Sequence, residues 1–238
     1  MNVLGIITAR RGSRGVPGKC VRELLDKPVI YYTIDAAIHS AALDKIAVTT
    51  DDPEVKNICA GYESKALTVI DRPVELADDK ARIDDVMRHC CLQMETRYEY
   101  KPDIVVLLYA NIPVRADGII DKTIDHLIKT GADSVQTLAP VEKFHPYWLY
   151  KLDGDRATKY NDNQIYQRQD LPPLYYIDGA VGAMSYDVLS AAAGSENPHA
   201  FWGQDRRGIT QQPHETVDID TYRDLLLAEA TLRAQQQV

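Results

Sequence analysis

Residues 9 to 19 read Ala-Arg-Arg-Gly-Ser-Arg-Gly-Val-Pro-Gly-Lys, a basic loop broken by glycines. Side chains of this kind hold phosphates. Gly12, Gly15 and Gly18 carry no Cβ, so backbone N–H groups there can approach an anion closely. Arg10, Arg11, Arg14, Lys19 and Arg22 lie in one stretch without an acidic residue, although the chain as a whole carries a formal charge of -8. Such a local reversal of sign points to a polyanionic ligand. The loop is neither a Walker A loop, since Ser13 stands where the first glycine belongs and Cys20 where the hydroxyl belongs, nor a Gly-x-Gly-x-x-Gly dinucleotide loop.

A second chemical feature lies near the other end. Asp218 and Asp220 flank Ile219, and in extended chain both carboxylates would share one face. Two carboxylates together with substrate phosphates make a common magnesium site. The competing reading makes Asp220 the N-cap of the helix that follows. The four cysteines, Cys20, Cys59, Cys90 and Cys91, have no metal-ligand spacing and read as reduced packing residues.

These groups need a frame. Apolar runs of strand length at Val3 to Thr8, Lys45 to Thr50, Leu67 to Ile70, Asp103 to Tyr109 and Ser134 to Leu138 alternate with helical patterns. That alternation predicts an α/β fold whose mostly parallel sheet is flanked by helices. Helices are expected after Pro28, after Asp52, over about 83–96, and over Ile119 to Ile128 with Gly131 as its stop. The basic loop follows the first strand directly, the place where open parallel sheets bind ligands. From 140 to 176 the period fails among Pro, Tyr, Asp and Asn residues, which marks a functional or inserted segment. Regularity returns at Gly179 to Met184 and ends in an amphipathic C-terminal helix from Tyr222.

Length and composition exclude several classes. With 238 residues, 45% hydrophobic and 26% charged, the chain is ordinary for a globular protein. Its longest apolar run, Ile104 to Ala110, is far short of a bilayer span of roughly 20 residues, and the N-terminus lacks the order of a secretory signal. The expectation is a cytoplasmic protein with no membrane partner. The acidic balance argues against nucleic acid as a partner.

Several motifs in order resemble one family, the acylneuraminate cytidylyltransferases or CMP-sialic acid synthetases. They are the 9–19 loop, Thr49-Thr50-Asp51-Asp52, Arg72-Pro73-Val74-Glu75-Leu76-Ala77-Asp78, Leu107-Leu108 with Pro113-Val114-Arg115, Arg168-Gln169-Asp170-Leu171-Pro172 with Gly179-Ala180, and Asp218-Ile219-Asp220-Thr221. The resemblance implies a Rossmann-like nucleotide-diphospho-sugar transferase fold in one domain over 1–238, with 140–176 as an inserted dimerisation and sugar-site segment of a homodimer. It implies CTP and an acidic, sialic-type nonulosonic sugar as substrates, with Mg2+ as cofactor. Nucleotide contacts would come from Ala9, Arg10, Gly12, Ser13, Lys19 and Arg72, sugar contacts from Tyr109, Asn111, Arg168 and Asp178, and the metal from Asp218 and Asp220. Lys19, Arg10 and Asp218 would be catalytic. For Arg72 the competing reading is an ion pair with Glu75, and for Arg168 a solvated charge.

The chain departs from the family pattern at three places. Cys20 stands where asparagine is common, Tyr109-Ala110-Asn111-Ile112-Pro113 replaces Gln-Pro-Thr-Ser-Pro, and Asp178 replaces an asparagine. Those changes bear on the sugar more than on the nucleotide. Two further readings stay open: a same-fold nucleotidyltransferase for another sugar, and a catalytically silent nucleotide-binding homologue.

Overall fold

A computed structural model of the chain describes residues 1–12, 15–62, 64 and 66–236. Ser13 and Arg14 of the basic loop lie outside the described residues. In chain order the strands are β1 (Val3–Ala9), β2 (Glu23–Leu24), β3 (Lys27–Pro28), β4 (Lys45–Thr50), β5 (Leu67–Asp71), β6 (Ile104–Tyr109), β7 (Ser134–Pro140), β8 (Tyr150–Asp153), β9 (Arg156–Lys159), β10 (Tyr175–Ser185) and β11 (Arg206–Thr210). The helices are α1 (Val29–His39), α2 (Pro53–Ala60), α3 (Ile83–Tyr98), α4 (Ile119–Thr130), α5 (Tyr186–Ala191) and α6 (Tyr222–Gln235).

Seven strands form one sheet in the order β11-β7-β10-β6-β1-β4-β5. All pairings are parallel except the two made by β10, which runs against β6 and β7. β1 is buried along its whole length because helices cover both faces of the sheet, which is why its sequence reads as an unbroken apolar run. One core cluster joins α1, α2 and α4 to one face, and a second joins α3, α5 and the Phe201-Trp202 pair to the other.

Local signals account for several helix ends. The Asp52 side chain accepts from the Glu54 N–H at the start of α2, with Pro53 in the first turn. Gly131 ends α4 at φ +64, a conformation that spares only glycine a steric cost. At α6 the cap is Thr221, which exchanges hydrogen bonds with Asp224 in a capping box. This corrects the reading of Asp220 as the N-cap.

The segment between β7 and β10 leaves the sheet. Its hairpin of β8 and β9 has every residue exposed. At its base His145 is buried, accepting from the Tyr147 N–H at Nδ1 and meeting the Pro172 carbonyl through Nε2 at 3.0 Å. It is a packed loop histidine.

Candidate active site

β1 pairs with β4 on one side and β6 on the other, so the chain order reverses across β1. Loops leaving the carboxyl ends of such neighbouring strands part and open a crevice. The loop after β1 supplies Arg10 and Lys19, the end of β5 leads into Arg72, and the end of β6 supplies Tyr109 and Asn111. All five line one cavity of about 240 Å3 with Cys20. An adjoining cavity of about 400 Å3 shares Arg10 and Lys19 and adds Gly12, Gly15 and Asp220.

A small apolar cluster brings the two ends of the chain together. Val16 from the basic loop packs with Val114, Val217 and Ile219, and with Ala228 of α6. The segment 217–219 is extended, hydrogen-bonded through Val217 N–H to Val114 and through Ile219 N–H to the Asn111 carbonyl. Val217 and Ile219 point into the cluster, so Asp218 and Asp220 both face out to the crevice. The loop and this segment touch closely. A Cβ placed on Gly15 would lie 2.0 Å from the Asp220 carbonyl oxygen.

The charges are laid out in pairs. Lys19 Nζ stands 2.9 Å from Asp220 Oδ1, and the Arg10 guanidinium stands 2.5 Å from Asp79. Asn111 donates from Nδ2 to Asp218 and, at 3.2 Å, to the Ile219 carbonyl. Asp218 opens onto the crevice, yet enough protein surrounds its carboxyl to push its pKa up to about 6, by desolvation first and then by repulsion from Asp220, against the pull of Lys19. Two carboxylates that repel each other on an open face are an incomplete cation site. Among the described residues no group of three or more His, Cys, Asp or Glu could hold a metal ion. A bound cation would therefore take its remaining ligands from phosphate and water, as magnesium commonly does.

Arg72 is buried and donates from NH2 to the Thr49 carbonyl at 2.7 Å and from Nε to Thr49 Oγ1 at 3.3 Å. Its guanidinium is held by β4, in place of the ion pair with Glu75. Cys20 is a wall of the crevice, and burial pushes its thiol up to about 11. It is an apolar surface, not a nucleophile. Ala9 is wholly buried at the end of β1. Of the remaining basic residues, Arg22 stacks over the Tyr222 ring at 5.0 Å and so serves α6.

Two expected sugar contacts lie elsewhere. Arg168 is exposed on the projecting segment and pairs with Glu142 at 2.7 Å. Asp178 is buried, and its carboxylate accepts from Thr137 Oγ1, from the Ala180 N–H at 3.0 Å and from Gln211 Nε2 at 2.6 Å. It braces β10 against β7 and the chain after β11, and turns no charge toward the crevice. Sequence reasoning assigned no role to Arg115, which fixes the floor. Its guanidinium donates to the carbonyls of Tyr109 (2.8 Å), Ile112 and Ala180 (2.9 Å) and to Thr33 Oγ1 (2.9 Å). Desolvation lowers its pKa to about 9. The only signal was an arginine directly after the apolar stretch Ile112-Pro113-Val114, where a charge must find partners.

A third cavity, of about 230 Å3, adjoins the crevice and shares Tyr109 and Ile83 with it. Phe201 and Trp202 form part of its wall and belong to this chain's own core.

Comparison with known proteins agrees with this geometry. A family model described as cytidylyltransferase matches residues 4–225. The N-acylneuraminate cytidylyltransferase of Streptococcus agalactiae serotype V is 35% identical over 185 residues, 76% of this chain and 43% of that protein, so the chain spans under half the length of that relative. The CMP-N,N'-diacetyllegionaminic acid synthase of Legionella pneumophila is 26% identical over 244 residues, covering 100% of this chain and 99% of that one. The pseudaminic acid cytidylyltransferase of Campylobacter jejuni is 26% identical over 239 residues, with 100% and 99% covered. Among solved structures, a CMP:2-keto-3-deoxy-manno-octonic acid synthetase complexed with CTP superposes with a TM-score of 0.69 at 17% identity, covering 100% of both chains, which shows a shared fold. With its basic loop, its paired aspartates and a family match over nearly its full length, the chain belongs to the cytidylyltransferase family.

Proposed function

We propose that the protein activates a sialic-type nonulosonic acid with CTP, giving a CMP-sugar and pyrophosphate. The observation that carries this reading is that Arg10, Lys19 and Arg72 line the crevice at the sheet's reversal point, while the exposed pair joins it through side-chain contacts, Asp218 with Asn111 and Asp220 with Lys19. In the reaction the anomeric oxygen attacks the α-phosphorus and the bond to the β-phosphate bridging oxygen breaks. The hydroxyl proton is released and pyrophosphate leaves with the bond electrons. Such a transfer depends on alignment and charge neutralisation more than on covalent help from the protein.

Arg10 and Lys19 hold the triphosphate, and Lys19 stabilises charge as it grows on the leaving pyrophosphate. Backbone at Gly12 lines the triphosphate, and Arg72 lies near the base and ribose. Tyr109 and Asn111 border the sugar. Asp218 and Asp220 are the residues that would hold Mg2+, which when bound neutralises phosphate charge and lowers the pKa of the attacking hydroxyl. Asn111 keeps Asp218 aimed outward.

The protein acts in the cytoplasm as a homodimer on this reading. Four buried free cysteines and the exposed apolar segment support it. No helix among the described residues is long and apolar enough to cross a membrane. Arg168 then meets the acidic sugar of a second copy's site. The test is pyrophosphate release from each nucleoside triphosphate with a panel of acidic sugars. Release with CTP and a nonulosonic acid is expected. Release from another triphosphate alone, or none with any nonulosonic acid, overturns the reading.

A further inference from the structure

The cavity beyond Tyr109 has one polar feature that the fold does not explain. Gln136 projects from β7 into it, only 6% exposed, and its Oε1 has no hydrogen-bond partner among the described residues. The surrounding wall is chiefly apolar, with Leu107, Ile177, Val181, Phe201 and Trp202. A buried amide with an empty acceptor is costly to keep, because folding strips it of water and returns nothing. Leucine or methionine would sit in such a wall at no such cost. The ladder around Gln136 does not require the amide, since its strand neighbours are Gly182 and Gly208 and neither has a side chain to pair with.

We propose that Gln136 is a specificity-determining residue that recognises an acylamino substituent on the acceptor sugar. This rests on the reading of the crevice as a CMP-sugar site. The cavity opens beside Tyr109, where the acceptor must lie to reach the nucleotide, so a substituent on that acceptor is what can enter it. An acylamino group suits the cavity in both its parts. With the Gln136 side-chain amide turned so that its oxygen faces the cavity, the acylamino N–H donates to Oε1, and the acyl carbon tail packs on the Trp202 and Phe201 rings. A hydroxyl-rich tail fits badly, because several hydroxyls would give up water for a single acceptor. The room at the bottom is set by Gly182, where an added Cβ would come within 2.4 Å of the Trp202 ring. Trp202 therefore lies against bare backbone and leaves the volume above it open.

Replacing Gln136 by methionine, and separately by leucine, tests this. Binding and turnover are measured with an acetamido nonulosonic acid and with its deaminated analogue, which carries a hydroxyl in place of the acetamido group, both in the presence of CTP. The wild-type protein should prefer the acetamido sugar, and both variants should lose about tenfold of that preference in kcat/KM with the KM for CTP unchanged. Melting temperature should hold or rise in both variants, since an unpaired buried amide is removed. If the wild-type protein binds and uses the acetamido sugar and the variants keep the same preference, the role of Gln136 is wrong while the CMP-sugar reading stands. A fall in melting temperature with unchanged preference makes Gln136 structural and overturns the proposal as well. If the wild-type protein neither binds nor turns over either sugar, both readings fall together.

Discussion

At the scale of single residues the crevice is a set of charges held short of neutrality. Lys19 leans on Asp220 at 2.9 Å, and a triphosphate entering the loop would compete for that ammonium. Its charge matters most when pyrophosphate departs, so Lys19→Ala should lower kcat by about 10²–10³ while CTP binding weakens far less. Pre-steady-state turnover beside equilibrium titration of CTP separates the two, and unchanged pyrophosphate release would remove Lys19 from the chemistry. Asp218 carries a different signature. Its folded pKa of about 6 stands above the ordinary 3.8, so the fold favours the protonated form. Stability contributed by that proton is full below about pH 4 and is lost as pH climbs through about 6. In metal-free protein Asp218→Asn should therefore match the wild type at pH 4 and exceed it by about 1 kcal/mol at pH 8, a figure kept small because the side chain is open to solvent. Activity should fall in the same variant. Urea denaturation at the two pH values checks the stability, and a variant less stable at pH 8 would show that Asp218 is needed by the fold.

Elements decide whether those residues meet. Every expected strand of the parallel part is present, and the basic loop does follow β1, because a strand buried on both faces writes a plain apolar run into the sequence. β11 was not legible. Its Arg206-Arg207-Gly208 half is exposed on an edge strand and carries no apolar pattern. The reversed direction of β10 was equally hidden, since a strand's sequence does not state which way its neighbours run. In the site, the loop and the aspartate pair were legible from residue type and spacing, and Arg72 only from the family resemblance. The full role of Arg115, the setting of Gln136 and the inward turn of Asp178 were not legible, because each depends on residues brought from 30 or more positions away: Thr33 and Ala180 for Arg115, the strands of Gly182 and Gly208 for Gln136, and Thr137 and Gln211 for Asp178. The glycines of the loop divide in a way that only the packing reveals. Gly15 lies against the Asp220 backbone, so Gly15→Ala should cost about 1–3 kcal/mol and pull the loop off the aspartate segment. A Cβ on Gly12 would meet nothing within 4 Å. Gly12→Ala should leave stability within about 0.5 kcal/mol, and it should still weaken CTP binding if backbone there lines the phosphates. Equal melting temperatures for the two variants would contradict this division.

On the scale of the whole molecule, the projecting segment is out of proportion to what the chain itself covers. Tyr166 is 91% exposed, Leu152 74% and Phe144 69%, and Tyr150, Tyr160 and Ile177 are exposed beside them in the same stretch of chain. A monomer rarely leaves so many large apolar side chains together in water, and a second copy offering the same segment could bury them across a two-fold axis. A stable interface of that kind needs about 1,200–2,000 Å2 in total. The same arrangement would explain why Arg168, expected at the sugar, sits on the segment instead of in its own crevice. Leu152→Asp with Tyr166→Asp should yield a monomer by sedimentation, with the melting profile of the sheet retained because neither side chain enters the core. Subunit mixing then tests where Arg168 works. Lys19→Ala and Arg168→Ala proteins should each be nearly inactive alone. When co-expressed at equal levels they should regain about a quarter of wild-type activity, since half the dimers are mixed and each of those holds one site with both residues intact. No recovery, with mixed dimers demonstrably formed, would return Arg168 to its own chain or to the solvent.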